Sequence, residues 1–158
     1  MTYMTLNKLK SVISSLKKNG KKIVFTNGCF DLIHIGHVRY LVEAKKLGDI
    51  LIVGINSDES VRSLKGKNRP IINEKERAEI TDSLKPVDYV VVFNEKTPDK
   101  LIEQLKPDIH VKGGDYQMDE IHESKSMRRI GGKTVILREI EGKSTSNILQ
   151  RILKAHSE

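Results

Sequence analysis

Short apolar runs alternate with amphipathic segments along most of the chain, and this alternation predicts the fold. Five runs lack the polar alternation of a half-exposed strand, which is typical of strands buried on both faces of a parallel sheet. They are residues 23–25, 50–55, 89–93, 109–112 and 134–137. The segments between them mostly show helical spacing. We therefore predict a doubly wound, Rossmann-like α/β fold, with a parallel five-stranded sheet and helices on both faces.

The predicted helices between and after the strands cover residues 38–47, 74–84, 98–105 and 144–155. Pro98 stands at a favourable first helical position, and Ser144 is a natural N-cap residue. An amphipathic pattern over residues 1–20 predicts a further helix that packs outside the sheet. The chain has 158 residues and no internal repeat, so we interpret residues 1–158 as a single domain.

Polar or glycine-containing segments stand where the predicted strands end. They are residues 26–31, 56–58 and 112–115, with residues 141–146 between the last strand and the last helix. Ligands of doubly wound folds bind at the carboxyl ends of the strands, so these segments are expected to line one edge of the sheet. The loop over residues 63–73 is the expected mobile flap.

Two histidines follow the first predicted strand, where a helix begins. His34 and His37 are three residues apart and would share one helical face, and Gly36 lets a ligand approach the backbone. The free N–H groups of a helix start favour an anion, so the pair predicts a phosphate site. A metal site is the alternative, but no third or fourth ligand stands at a convincing spacing.

The composition of the chain indicates in which cellular compartment to expect it. The chain has one cysteine, Cys29, and 37% hydrophobic residues. A single cysteine excludes an internal disulfide and fits a reducing cytoplasm. No leader pattern and no apolar run of membrane-spanning length is present, so we expect a cytoplasmic protein with no membrane partner.

The net charge of +7 raises the question of nucleic acid. The lysines are spread along the chain, and aromatic residues make up 4% with no tryptophan, so a base-stacking surface is poorly supplied. We therefore expect no nucleic-acid partner. A nucleoside triphosphate needs only a few cations, and Lys65 and Lys67 of the expected flap could close over it. Neither common phosphate-binding fingerprint, G-x-x-x-x-G-K-[ST] or G-x-G-x-x-G, occurs.

The motifs together carry a family resemblance. His34-Ile35-Gly36-His37 follows Gly28-Cys29-Phe30-Asp31, and Glu141-Gly142-Lys143-Ser144-Thr145-Ser146 stands near the end of the chain. This combination resembles the HxGH nucleotidyltransferases, a superfamily of cytidylyl- and adenylyltransferases. Residues 25–31, residues 56–58 together with 61–66, and residues 111–116 are most similar to the heptose 1-phosphate adenylyltransferases. The resemblance covers residues 20–155.

The resemblance implies roles for individual residues. His34 and His37 would hydrogen-bond the triphosphate, and Lys65 would support its β- and γ-phosphates. Asp31 would orient the histidine-bearing turn. Further implied nucleotide or phosphate contacts are Thr26, Asn27, Gly28, Phe30, Gly36, Arg77, Lys112, Gly113, Ser144, Thr145 and Ser146. The residues implied to face the sugar phosphate are Asn56, Asp58, Lys67 and Asp115, and Lys112 faces either the sugar phosphate or the nucleoside.

The implied reaction transfers AMP from ATP to D-glycero-β-D-manno-heptose 1-phosphate, giving ADP-heptose and pyrophosphate. The implied cofactor is Mg²⁺, bound mainly through the ATP phosphates. The implied partners are ATP, a sugar phosphate and further copies of the chain in a dimer or larger homo-oligomer. Only about 20 residues precede the first predicted strand, so a heptose kinase is expected to be a separate protein.

Two alternatives stay open at this point. A cytidylyltransferase acting on glycerol 3-phosphate or another sugar phosphate would share the fold. That branch carries a basic residue two places before the Glu-Gly pair, where this chain has Glu139, and Arg138 is one place away. A nucleotide- or RNA-binding regulator without catalysis is the alternative from another class, and it predicts salt-sensitive binding without pyrophosphate release.

Overall fold

The computed structural model describes residues 4–114, 121–138 and 145–156. Two of the predicted site residues, Asp115 and Ser144, lie outside the described residues, as do residues 139–143. The strands are β1 (Ile23–Gly28), β2 (Ile50–Asn56), β3 (Tyr89–Phe93), β4 (Ile109–Gly113) and β5 (Lys133–Leu137). The helices are α1 (Leu6–Lys18), α2 (Ile35–Lys45), α3 (Asp58–Lys65), α4 (Glu74–Asp82), α5 (Asp99–Leu105), α6 (Glu123–Arg129) and α7 (Thr145–Ala155).

The strands form one parallel sheet in the order β3-β2-β1-β4-β5. This arrangement confirms the predicted doubly wound α/β fold. One face of the sheet packs against α2 and α4, with Leu41, Val53 and Ala78 in its core. The other face packs against α1, α5 and α6, with Leu9 and Phe25 in its core. Both faces are therefore covered, which explains why the strand sequences are almost wholly apolar.

Several helices and strands begin or end at other residues than predicted. Their ends are set by capping and by hydrogen bonds between strands, and less by the spacing of apolar residues. Helix α2 begins at Ile35, three residues before the predicted start, since the His34 side chain caps it. Pro98 is the N-cap residue of α5 and not its first helical residue. Strand β1 continues through Gly28, beyond its apolar run, because it stays hydrogen-bonded to β2.

Two short helices were absent from the sequence-based prediction. Helix α3 begins after Ser57, whose hydroxyl accepts a hydrogen bond from Ser60 N–H, and its first turn is acidic. It takes up the first three residues of the expected flap, so the loop spans residues 66–73. Helix α6 is mostly polar and places Met127 in the core, so its sequence lacks an apolar stripe. Among the described residues, no helix is long and apolar enough to cross a membrane.

Candidate active site

A crevice opens between the carboxyl ends of β1 and β4, which are neighbours in the sheet. The chain leaves β1 towards β2 and leaves β4 towards β5, in opposite directions, which is the topological switch point of a doubly wound fold. A cavity of about 330 Å³ lies there. Its lining residues come from the end of β1 and the turn after it, from α2, α3 and β4, from the residue after β5 and from the start of α7: Asn27, Gly28, Cys29, Phe30, Asp31, His34, Gly36, His37, Tyr40, Lys65, Lys112, Gly113, Arg138, Thr145 and Ser146.

The two histidines are held by the start of α2. His34 Nδ1 accepts a hydrogen bond from Gly36 N–H at 3.1 Å, and His37 Nδ1 accepts from His34 N–H at 3.4 Å. The ring centroids of the pair are 3.9 Å apart. Because both Nδ1 atoms accept, each neutral ring carries its proton on Nε2. The helix cap therefore makes both histidines Nε2–H donors at the cavity.

His37 stays neutral at physiological pH. Burial lowers the pKa of His37 to about 4, and any proton taken up by His34 and the charge of Lys65 act in the same direction. The Phe30 ring lies 5.4 Å from the His37 ring and shields it. Phe30 adopts a φ of +46°, which a bulky residue rarely takes, so the backbone of this turn is strained at the site.

The start of α7 contacts the turn after β1 and lines the same cavity. Thr145 and Ser146 both line the cavity, and the Thr145 hydroxyl donates to the Leu32 carbonyl at 3.5 Å. Free N–H groups at a helix start attract anions, so this helix adds a second phosphate-binding element to the one at His34. The predicted contacts at Thr145 and Ser146 are thus brought to the same cavity as the histidines.

Lys65 and Lys67 differ in their placement. Lys65, the last residue of α3, lines the cavity, and its charge reaches His37. Lys67 is exposed in the following loop and is not part of the cavity lining. Of these two lysines, the structure therefore brings Lys65 to the cavity lining and leaves Lys67 outside it.

Asp31, which the resemblance implied to help orient the histidine-bearing turn, holds the loop after α3. Its carboxylate accepts hydrogen bonds from Ile71 N–H and Ile72 N–H at 2.9 Å and from Arg69 Nε at 2.7 Å. Burial alone would raise the pKa of Asp31, but these hydrogen bonds and the Arg69 charge lower it. The expected flap is therefore tied at residues 69–72 to the turn after β1.

Arg77 is a structural residue, although the resemblance implied a phosphate contact. Its side chain is fully buried and does not line the cavity. It donates to the carbonyls of Cys29, Ile72 and Asn56 and pairs with the Asp58 carboxylate at 2.8 Å. The guanidinium thus joins the ends of β1 and β2 to α4, and its donors are occupied by the protein.

Asn56 and Asp58 are also away from the cavity. The Asn56 side chain is buried and donates to the Ser60 hydroxyl at 2.9 Å. Asp58 is engaged by Arg77 and lines a separate depression between α3 and α4. These contacts account for both polar side chains, so the structure does not bring the two predicted sugar-phosphate residues to the site. Thr26 is likewise buried below the cavity.

Tyr40 ties the crevice together and was missed by the sequence analysis. Its hydroxyl donates to the Val111 carbonyl at 2.9 Å and accepts from Thr26 Oγ1 at 2.7 Å, so α2 is bound to both β1 and β4. Burial raises the pKa of Tyr40. A Cβ on Gly113 would come within 3.1 Å of this ring. Tyr40 follows His37 by three residues, and this helical spacing could have predicted that the two side chains share a face.

Two basic residues complete the lining. Lys112 at the end of β4 pairs with the nearly buried Glu123 at 2.7 Å. Arg138 directly follows β5 and lines the cavity, a position that the sequence analysis did not include among the site residues. Its position directly after a predicted strand was the sequence feature that could have identified it. The cavity therefore combines cations, hydroxyls and helix starts, which is the chemistry of a polyphosphate site.

The described residues do not offer a resident metal centre. No group of three or more His, Cys, Asp or Glu side chains placed to hold a metal ion occurs in the part of the chain that the structure describes. Asp31 is the carboxylate in the cavity lining, and its oxygens already accept from the loop after α3. A divalent cation at this site would therefore depend on phosphate oxygens of a ligand for most of its coordination.

Comparison with known proteins agrees with this site chemistry. A family model described as Cytidylyltransferase-like matches residues 25–151. The bifunctional protein HldE of Geobacter sulfurreducens is 49% identical over 153 residues, which cover 97% of this chain and 31% of that protein. The chain thus spans about a third of the length of this curated relative.

Solved structures show the same fold. The crystal structure of a lipopolysaccharide core biosynthesis protein from Thermoplasma volcanium is 35% identical with a TM-score of 0.66, covering 78% of this chain and all of that one. Pantothenate synthetase from Thermus thermophilus is 14% identical with a TM-score of 0.63, covering 94% of this chain and 67% of that one. The second likeness concerns the fold alone.

Proposed function

The chain belongs to the cytidylyltransferase-like family, and we propose that it transfers AMP from ATP to D-glycero-β-D-manno-heptose 1-phosphate. The products are ADP-heptose and pyrophosphate. The observation that carries the proposal is the cavity that unites the His34–His37 pair, Lys65 and the start of α7 at the sheet's switch point. The similarity to HldE and to a lipopolysaccharide core biosynthesis protein supports the heptose acceptor.

The chemistry needs positioning more than proton transfer. An oxygen of the sugar phosphate, already an anion, attacks the α-phosphorus of ATP, and the bond from that phosphorus to the bridging oxygen of pyrophosphate breaks. Charge grows on the α-phosphoryl oxygens and on the leaving pyrophosphate. Nε2–H groups of His34 and His37 donate to this charge, and Lys65 neutralises the leaving group. Thr145 and the free N–H groups of α7 hold the phosphates from the opposite side.

Magnesium enters this proposal as part of the ATP substrate. Bound to the phosphate oxygens, Mg²⁺ neutralises charge on the triphosphate. The occupied carboxylate of Asp31 supports this arrangement, since the cavity holds no second acidic side chain that is described. The protein's own contribution is then the set of cations and donors around the phosphates.

The pathway context is part of the same proposal. The acceptor is a sugar 1-phosphate, so a kinase acting on the heptose must supply it. We also expect a homo-oligomer in the cytoplasm. Helix α7 exposes 47% of Ile152 and 68% of Leu153, an apolar surface that a second copy would cover. Light scattering at micromolar concentration measures the oligomeric state directly.

A cytidylyltransferase acting on glycerol 3-phosphate is the second candidate. It is favoured by Arg138, which lines the cavity and is a basic residue in the region where that branch carries one. One assay separates the two candidates: pyrophosphate release is followed with each nucleoside triphosphate against a panel of sugar and polyol phosphates. ATP with heptose 1-phosphate should give the fastest release. Release with CTP and glycerol 3-phosphate alone would reject the first proposal.

A further inference from the structure

His110 lies below the cavity and contacts one of its lining residues from behind. It projects from β4 on the α5–α6 face of the sheet, is fully buried, and its ring centroid is 5.8 Å from that of Phe25. Its Nε2 is 3.0 Å from Asn27 Oδ1. Asn27 itself lines the cavity, whereas His110 does not. The histidine can therefore affect a ligand through Asn27 but not by direct contact.

The hydrogen bond fixes which way the Asn27 amide faces. The amide oxygen only accepts, so His110 Nε2 carries the proton and donates. Burial lowers the pKa of His110 to about 4, so the ring is neutral and Nδ1 is bare. Nδ1 has no hydrogen-bond partner among the described residues. The reversed amide would leave a buried Nδ1–H donor without an acceptor, and orphaned buried N–H groups are rarer than orphaned acceptors.

With its oxygen held by His110, the Asn27 amide presents its NH₂ group to the cavity. Lys112 lines the same wall and adds a positive charge, while its partner Glu123 lies behind it and is nearly buried. This wall therefore offers donors and a cation to a ligand. Such a surface suits an anion, and the cavity's other walls already favour phosphate.

We propose that His110 is a positioning residue: it fixes the Asn27 amide so that its NH₂ group donates to a phosphate oxygen of the bound nucleoside triphosphate. The inference rests on the proposed function only in taking that ligand as ATP. The acceptor sugar and the chemical step do not enter it. Equilibrium binding of ATP therefore tests it separately from turnover.

The first test compares two replacements of His110. In His110→Leu, an apolar side chain fills the site and the Asn27 amide loses its donor, so the dissociation constant for ATP should rise about tenfold, the scale of one hydrogen bond to a charged group. In His110→Gln, the amide N–H₂ can replace Nε2–H, and affinity should stay within about threefold of the wild type. Calorimetry with ATP gives both values. Wild-type affinity in His110→Leu, or equal losses in the two variants, would overturn the proposal.

A double-mutant cycle shows whether His110 acts through Asn27. Asn27→Ala removes the donor, so adding His110→Leu to it should cause no further loss of ATP affinity. Asn27→Asp keeps the shape but turns an acceptor and a negative charge towards the phosphates, so it should weaken ATP binding more than Asn27→Ala. If the losses of ATP affinity in the two single variants multiply in the double variant, or if Asn27→Asp binds ATP tightly, the assignment would be contradicted.

Thr134→Val supplies the matched control. Thr134 pairs with His110 across β4 and β5 and has a buried hydroxyl without a hydrogen-bond partner in the described part of the chain. Its replacement should leave ATP affinity unchanged.

A merely structural role for His110 predicts a lowered Tm in His110→Leu, whereas positioning predicts weak ATP binding at an unchanged or higher Tm. Failure of the wild type to release pyrophosphate would count against the proposed function and leave the binding cycle interpretable.

Discussion

At the scale of single residues, the start of α2 decides what the two histidines can do. Their Nδ1 atoms accept hydrogen bonds from backbone N–H groups, so in the neutral rings the proton is on Nε2. A neutral ring in this state donates one hydrogen bond and does not accept one. The pair is therefore suited to stabilise phosphoryl charge and not to act as a general base.

Replacing His37 by alanine should lower kcat by about 10² or more, because one preorganised donor to the transition state is lost. Steady-state pyrophosphate release with saturating ATP and heptose 1-phosphate measures this. His156→Ala is the control, since His156 is exposed at the end of α7. A folded His37→Ala enzyme that turns over at the wild-type rate would contradict the role.

ATP should also change the titration of His37. In the free protein its pKa is about 4 because of burial, and any proton taken up by His34 and the charge of Lys65 act in the same direction. A bound triphosphate stabilises the protonated ring, so the pKa should rise on binding. Histidine NMR signals followed against pH, with and without ATP, report the shift. An unchanged or lower midpoint with ATP would place the triphosphate away from His37.

At the scale of elements, α3 separates two lysines that the sequence analysis placed together on a mobile flap. Lys65 ends the helix at the cavity, and Lys67 lies in a loop whose later residues are held by Asp31. The sequence could not show this difference, because α3 has only 8 residues and Asp31 meets Arg69 across 38 positions. Strand β3, in contrast, was predicted at its observed bounds because both of its faces are covered.

Lys65→Ala should therefore raise the KM for ATP about tenfold or more, through loss of a charge at the triphosphate. Lys67→Ala should change KM by less than twofold. The two variants lose the same charge two residues apart, so their comparison removes the effect of net charge. Equal rises in KM would mean that the loop brings both lysines to the substrate.

At the scale of the whole molecule, the fold could be predicted from the sequence more completely than the site. Apolar strands and helix caps are local signals, and the order of strands along the chain indicates a crevice at their carboxyl ends. Arg77 shows the limit, since its motif position pointed to phosphate while its four contacts lie with the protein. Contacts between residues far apart in the sequence depend on tertiary packing, so a local sequence pattern does not predict them.

Burial of His110 makes stability depend on pH. Its pKa is about 4 when folded, mainly through burial; Glu123 and Asp99 oppose the shift and Lys112 adds to it. Between pH 6.5 and pH 4, His110 binds a proton in the unfolded chain, where the histidine pKa is near 6.5, but not in the folded protein. The stability that depends on neutral His110 is therefore complete above pH 6.5 and decreases as the pH falls towards 4. The loss attributable to His110 is about 3 kcal/mol, since one pKa unit corresponds to about 1.4 kcal/mol.

Urea unfolding at pH 7 and pH 4.5 measures this dependence. The wild type should lose stability between the two pH values, and His110→Leu should lose about 2 kcal/mol less. His156→Ala should follow the wild type. A His110→Leu variant with the wild-type pH dependence would show that His110 is not held neutral by the fold.

We propose that the cavity between β1 and β4 is where AMP is joined to a heptose phosphate. The most direct measurement is a single reaction of the wild-type protein with Mg²⁺, ATP and D-glycero-β-D-manno-heptose 1-phosphate, followed by ³¹P NMR. Equal amounts of ADP-heptose and pyrophosphate should appear as both substrates are consumed. ADP and inorganic phosphate without ADP-heptose, or no reaction while CTP and glycerol 3-phosphate release pyrophosphate, would contradict it.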